Sequence, residues 1–549
     1  MKTKVIILFY WITALILCSC SSHSPVRLVS EQPVYPVLTM KAHNPVLKLQ
    51  LINSGTEAYT LSKVCCSLEG TSQLDQIDSI ALFFAGDKTV FSTQKQFGTA
   101  MPAAKNIVFT GDYPVDADTL LLWVSVKLKN TIDLTGRVHV RCTEIQTGKG
   151  DVDIHKTTCG EGLRIGVAVR QHRDDNVHTY RIPGLATSRE GTLLAIYDVR
   201  HDKGGDLQGN IDIGLSRSVD GGNTWAPMQI VMDRGAWGGL PEKFNGISDA
   251  CILVDENTGT VFIAGLWMYG VLDKHGKWIK GLNESSKEWN HQWRDKGSQA
   301  GFGVKETSQF LLTKSVDDGQ TWSALANLTT MCKQREWWLW APAPGRGITM
   351  VDGTLVMPTQ GRDENGKSFS TVTWSKDGGV TWVTGNPAVE APTGTTECAV
   401  VELSDGLLML NMRDNRNRKD TTNTNGRAIA VTADLGHTWT IHPSSHHALI
   451  EPTCMASLHK HTYTENGEKK SILLFANPNS KKSRDHITLK VSFDEGETWP
   501  PAHWICLDEG RSRGYSCLSS VDEQHIGILY ESSQADLVFQ KIPLKDILK

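Results

Sequence analysis

The chain has 549 residues, a formal net charge of −4, 40% apolar and 21% charged residues, 49 Gly, 20 Pro and 17 Trp. That length and apolar content provide for several buried cores and exclude a disordered chain, a collagen-like repeat and a small disulfide-held scaffold. The slightly acidic balance, without any basic run, gives no reason to expect a nucleic-acid partner, whose phosphates call for clustered Lys and Arg.

Residues 1–20 read as a secretory signal: Lys2 and Lys4 are the charged start, Val5 to Leu17 the apolar core, and Leu17-Cys18-Ser19-Cys20 the end. The apolar run falls short of the roughly 20 residues that cross a bilayer. Leu-Cys-Ser-Cys resembles a bacterial lipobox, which makes Cys20 the expected site of lipidation, with 21–27 as a tether and ordinary cleavage nearby as the alternative. The expected localisation is therefore export, with lipid anchoring at the bacterial outer membrane on its periplasmic or cell-surface face. Ten further cysteines include no C-x-x-C and no Cys/His cluster at zinc spacing. Most are expected to be small buried apolar residues. No cofactor or metal is expected, with structural calcium left open.

Between 28 and 150, alternating apolar runs at Val46–Leu51, Ser79–Phe84 and Leu120–Val126 are separated by turn-rich stretches, which suggests a small β-sandwich. Residues 151–159 read as a linker. Beyond it, the pattern S/T-x-D-x-G-x-T-W occurs five times, with its aspartates at 220, 317, 377, 434 and 494. A period near 60 residues indicates radially repeated units. Each copy follows strand-like alternation, so the box reads as a turn: a short Asp side chain bonds backbone amides, Gly supplies positive φ and Trp covers the hairpin. The aspartates are thus structural, and residues 160–549 hold a six-bladed β-propeller with four strands per blade. The expected class is all-β.

The boxes resemble those of sialidases. Between them His178-Thr179-Tyr180-Arg181-Ile182-Pro183 is similar to the family's Arg-Ile-Pro motif, and Thr395-Thr396-Glu397, Asn411-Met412-Arg413-Asp414, Asn477-Pro478-Asn479 before Arg484, and Gly514-Tyr515-Ser516 follow in the family's order. The likeness covers essentially the whole chain after the signal and is nearest to exported sialidases of the Bacteroides type. It implies a carboxylate clamp of Arg181, Arg413 and Arg484, matching the suitability of planar guanidinium for an ionised sugar acid. It further implies Tyr515 as nucleophile and Glu397 as its base. Chemistry accords with a neutral phenol, since a second anion would have to approach a centre that already bears a carboxylate.

The resemblance implies a general acid on the loop after Arg200, where His201 to Gln208 offers Asp206, preferred here for its match to the family pattern, and Asp202. The resemblance implies Arg200 near a substrate hydroxyl and Asp249 near an acyl pocket, while Trp267 and Met268 read as ordinary blade core or as walls for an N-acetyl group. Asp249 lies in Ser-Asp-Ala-Cys where the family has Gly-Asp-Pro-Ser, and Trp337–Pro344 departs from the usual Gln-Gly-Pro. The resemblance therefore implies an exo-acting retaining α-sialidase acting on sialylated glycoproteins, glycolipids and oligosaccharides, expected as a monomer. Trans-sialylation on the same fold and a non-catalytic sialoglycan-binding propeller are the alternatives; binding alone would not require Asp206, Glu397 and Tyr515 together.

Overall fold

The computed structural model describes residues 25–85, 90–102, 104–152, 154, 161–207, 209–268, 279–281, 283, 285–286, 298–304 and 306–549. The signal and most of the tether and linker lie outside them, as does Cys159. The N-terminal part is a sandwich. One sheet orders the strands Val26–Glu31, Asn44–Asn53, Thr119–Leu128, Ile77–Phe84 and Gln96–Pro102; the other orders Gly150–Asp151, Arg141–Thr147, Tyr59–Ser67 and Asn106–Val115. Alternation drives this arrangement, because inward residues such as Leu49, Leu51, Leu122 and Val124 meet Val64 and Phe109 in one core.

Among the described residues, the remainder forms six four-stranded antiparallel meanders, consistent with six propeller blades. Their innermost strands begin at Thr179, Gly246, Leu339, Thr395, Ser457 and Ser516. The last blade takes its outer strand from the start of the domain: Leu163–Arg170 pairs antiparallel with Leu537–Pro543. This closes the ring with chain from both ends, so that no blade edge is left at the seam.

One segment departs from the expected division of the chain. Val37–Thr39 leaves the sandwich and pairs in parallel with Leu163–Arg170, while Arg137–Val138 pairs antiparallel with that same strand. Sandwich and closing blade consequently share one apolar cluster, with Val37 and Val138 beside Ile165, Val167 and Phe539. At its rim Asp546 accepts from Arg137 at 2.8 Å and from Arg164 at 3.0 Å.

The five boxes join the third and fourth strands of blades one to five. In the second, Ser315 Oγ donates to Asp317 Oδ1 at 2.7 Å, and the Thr321 amide and hydroxyl donate to the two carboxylate oxygens at 2.9 and 2.5 Å. Trp322 Nε1 closes the turn on the Gly319 carbonyl at 3.2 Å. The first box shows why Gly is required: Gly222 has φ +92, and a Cβ there would lie 2.0 Å from the Phe539 ring of the preceding blade. Trp225 packs on that same ring, with centroids 5.2 Å apart. No disulfide occurs among the described residues, and eight of the nine described cysteines are buried.

These bonds favour the ionised carboxylate. Asp317 is held down at about 2 from 3.8, mainly by the Thr321 hydroxyl, then by its amide and the Ser315 hydroxyl; Asp377 and Asp434 are lowered alike to about 2. A folded value below the unfolded one contributes stability that is present above pH 3.8 and is lost as pH falls toward about 2. Asp317→Ala is therefore expected to lower the melting temperature at neutral pH, with a gap to wild type that narrows in acid. Thermal melts across that window check this; a constant gap refutes the ionic account.

Candidate active site

The side chains expected to work together come from four blades, and the backbone is irregular where it aims them. Register slips on the innermost strands occur between Arg181 and Gly184, between Ser248 and Cys251, and between Thr395 and Cys398. Ile182 and Asp249 carry φ of +58 and +57. Positive φ at a β-branched Ile is strained, and bulges of this kind re-aim side chains beside functional sites. Here they present Arg181, Asp249 and Glu397 at the same end of the ring.

Tyr515 is the centre. Its hydroxyl donates to Glu397 Oε1 in a very short contact and lies 3.1 Å from Arg413 Nη1, which itself donates to Glu397 Oε2 at 2.5 Å. The guanidiniums of Arg181 and Arg484 stand 5.4 and 5.5 Å from the Tyr515 ring centroid. The three arginines thus surround one phenol. Burial pushes that phenol well above its ordinary pKa, the negative Glu397 adds to the rise, and Arg413 and Arg484 oppose it. The resting group is neutral. Gly514, at φ +91, permits this crowding: a Cβ there would come within 2.9 Å of Cys454 Sγ and 3.2 Å of Arg484 Cβ.

Arg181 is held by a residue that the sequence did not single out. Glu531, fully buried in the sixth blade, accepts from Arg181 Nε at 2.9 Å, from the Ile182 amide at 3.1 Å and from the Tyr515 amide at 3.0 Å. Its carboxyl is kept below the usual range: burial raises it, but Arg181 and these donors outweigh that. A similar buried pair, Arg427 to Glu451 at 2.7 Å, supports the neighbouring loop, with Glu451 Oε1 accepting from the Asp414 amide and Asn417 Nδ2. Arg484 donates to the carbonyls of Arg513 and Thr453 at 2.9 and 3.2 Å.

Asp206 sits at the rim with its side chain 52% exposed, 2.7 Å from Arg200 Nη1 and 3.5 Å from Arg181 Nη1. Asp202, also exposed, is on the same loop. Arg200 differs from its expected place against a substrate hydroxyl: it is 1% exposed, fixed by Asp198 at 2.8 Å and by the Gly204 carbonyl at 3.0 Å. It anchors the Asp206 loop from below. Asp198 was also not foreseen; it accepts from Ser248 Oγ at 2.7 Å and from the Asp249 amide at 3.2 Å. Asp249 does reach the site, where burial first, and then the charges of Asp198, Glu397 and Asp206, push its carboxyl well above the normal range.

Trp267 and Met268 do not wall a pocket. Trp267 is 0% exposed inside the blade with Trp237 at 4.6 Å, and Met268 packs with Leu207 and Ile211 beneath the Asp206 loop. Their strand is buried on both faces, so aromatic bulk there fills the blade. Trp337 and Trp340 likewise form blade core around Phe369. Among the described residues, no group of three or more His, Cys, Asp or Glu is gathered for a metal ion.

Fold and site together define an Asp-box propeller of glycosidase type. Residues 191–528 match the BNR repeat-like domain and residues 27–151 the N-terminal domain of BNR-repeat neuraminidase. The chain is 39% identical over 542 residues to a sialidase of Bacteroides fragilis, covering 94% of both, and 30% identical to a sialidase of Paraclostridium sordellii across 65% of this chain and 82% of that one. The solved Hadza microbial sialidase Hz136 superposes with a TM-score of 0.84 at 34% identity, covering 94% of this chain and 99% of that one. The chain belongs to the BNR-repeat sialidase family.

The buried pair of Arg181 with Glu531 gives a direct test. Glu531→Ala strands a buried guanidinium and is expected to destabilise the fold by about 3–5 kcal/mol, whereas Glu531→Gln, which keeps an acceptor oxygen, costs less. Denaturant unfolding of both variants measures the difference; because both remove the negative charge, a smaller loss in Glu531→Gln reads the acceptor's contribution, and equal losses would show that the charge alone sets the cost.

Proposed function

We propose that this protein removes terminal sialic acid with retention of configuration, using Tyr515 as nucleophile, Glu397 as its base and Asp206 as acid and base. The chain is an enzyme of its family, an exo-α-sialidase; the assignment of roles is supported above all by the Tyr515 to Glu397 contact inside three arginines. Arg181, Arg413 and Arg484 hold the sugar's carboxylate. In the first half-reaction the Tyr515 oxygen bonds to the anomeric carbon as its proton passes to Glu397, while the glycosidic oxygen leaves with a proton from Asp206. Because burial keeps the phenol neutral, this transfer accompanies attack and does not precede it. In the second half-reaction water gives its proton to Asp206 and attacks the same carbon, and the departing Tyr515 oxygen recovers its proton from Glu397. Asp206 lies 2.7 Å from Arg200 and 3.5 Å from Arg181, so a substrate carboxylate taking Arg181 would leave the Arg200 contact to hold Asp206 in place.

Tyr515→Phe is expected to lower turnover of a methylumbelliferyl sialoside by on the order of a thousandfold or more with melting little changed. Proton NMR during wild-type turnover is expected to show the α-anomer of free sialic acid first. Initial β-anomer overturns the covalent route, and, with lactose added as acceptor, sialylated lactose in place of free sugar would identify transfer.

We also propose export and anchoring through a lipid on Cys20, on the strength of Leu17-Cys18-Ser19-Cys20 after an apolar run. Cys20→Ala is expected to abolish incorporation of labelled palmitate and to release the protein from the membrane fraction; labelling of that variant rejects the anchor.

A further inference from the structure

The loop that carries Asp206 is held at one carbonyl, two residues before the carboxylate. The Gly204 oxygen accepts from Arg200 Nη1 at 3.0 Å on the buried side and from Arg513 Nη1 at 3.3 Å on the exposed side. Arg513 lies close against the glycine: a Cβ on Gly204 would come within 3.0 Å of Nη2, 3.5 Å of Nη1 and 3.2 Å of Thr179 Oγ1. A Cβ on the next residue, Gly205, would meet nothing nearer than the Lys203 side chain at 3.8 Å. The loop is thus pinned at 204 and open at 205, with Asp206 just past the open step. Two consecutive glycines give a backbone that wanders unless something fixes it.

Arg513 is rooted in the opposite wall of the site. Its own carbonyl accepts from Arg484 Nη1 at 2.9 Å, the Ser512 amide donates to the Arg484 carbonyl at 2.8 Å, and two residues on, the Tyr515 amide is held by Glu531 at 3.0 Å. The side chain therefore leaves a fixed backbone at the start of the sixth blade and crosses the seam to a loop of the first. Of the charged groups around it, Arg181 and Arg200 repel the guanidinium while Glu531 and Asp536 attract it, and the hydrogen bond to Gly204 gives it direction. A general acid works only within hydrogen-bond reach of the oxygen it protonates. Resting on the reading of Asp206 as acid and base, we infer that Arg513 is a positioning residue, a strap that ties the Asp206 loop to the backbone beside Arg484 and so sets the proton donor against the carboxylate clamp. It acts on the loop and takes no part in bond cleavage.

A sugar alkoxide leaves poorly unless it is protonated, whereas methylumbelliferone is an acidic phenol that leaves unaided, so two substrates separate loss of the acid from loss of the clamp or the fold. The test measures kcat/KM on sialyl-lactose and on the methylumbelliferyl sialoside for wild type, Arg513→Ala, Asp206→Asn and the double variant. Arg513→Ala, which keeps the backbone carbonyl that Arg484 uses, is expected to lose about tenfold on sialyl-lactose and less than about twofold on the methylumbelliferyl substrate, at an unchanged melting temperature. Asp206→Asn is expected to lose more in the same sense, and adding Arg513→Ala to it is expected to cost nothing further, because the strap then has no acid to place. An equal fall on both substrates in Arg513→Ala, no fall on sialyl-lactose, or losses that multiply in the double variant overturn the inference alone. An equal fall on both substrates in Asp206→Asn overturns the assignment of the acid, and this inference with it.

Discussion

The contact on which the site depends is the buried ion pair of Arg181 and Glu531, because it spans the seam where the ring closes. Arg181 belongs to the first blade and Glu531 to the last, and the same carboxylate accepts the amides of Ile182 and Tyr515. One anion therefore sets the direction of Arg181 and the position of the phenol. A buried pair adds little net stability compared with apolar packing, but losing one partner leaves an unpaired charge. Its contribution here is geometrical, since the seam can close in only one register if Glu531 is to meet all its donors.

Closure in turn depends on the sandwich. Leu163–Arg170 is at once the outer strand of the last blade and the partner of Val37–Thr39 and Arg137–Val138. The apolar cluster shared across that junction makes the N-terminal part a buttress of the blade that carries Tyr515 and Glu531. A spacer hung on a flexible linker would have no such core, so the two parts act as one mechanical body at this edge.

Much of this was legible in the sequence, and what was not has a physical reason. Repetition disclosed the hairpins because each box needs the same Ser, Asp, Gly, Thr and Trp to close the same turn. The arginines and Tyr515 were legible because motifs surround them. Glu531, Asp198 and the Arg427 to Glu451 pair lie in strands and loops without local pattern, and their partners are 350, 2 and 24 residues away. Only Asp198, two residues before Arg200, offered a local signal: an acid and an arginine facing one way on a strand otherwise apolar. Trp267 left two readings open because an aromatic after an apolar strand looks the same in sequence whether it faces a pocket or a neighbouring sheet.

The electrostatic design of the site follows from these supports. Arg181 is paired with Glu531, Arg200 with Asp198 and Arg413 with Glu397, so three guanidiniums keep their charge in a buried setting while most of that charge is already balanced. Among the described residues, the hydrogen bonds of Arg484 go to carbonyls, and Arg413 Nε has no partner. The unspent donor capacity is therefore concentrated on the side of the fourth and fifth blades, next to a phenol that burial keeps protonated. On the proposed reading, an incoming carboxylate would meet its least satisfied partners there. On the proposed mechanism, its negative charge would further disfavour a free phenolate, so that proton loss from Tyr515 to Glu397 would be coupled to bond formation.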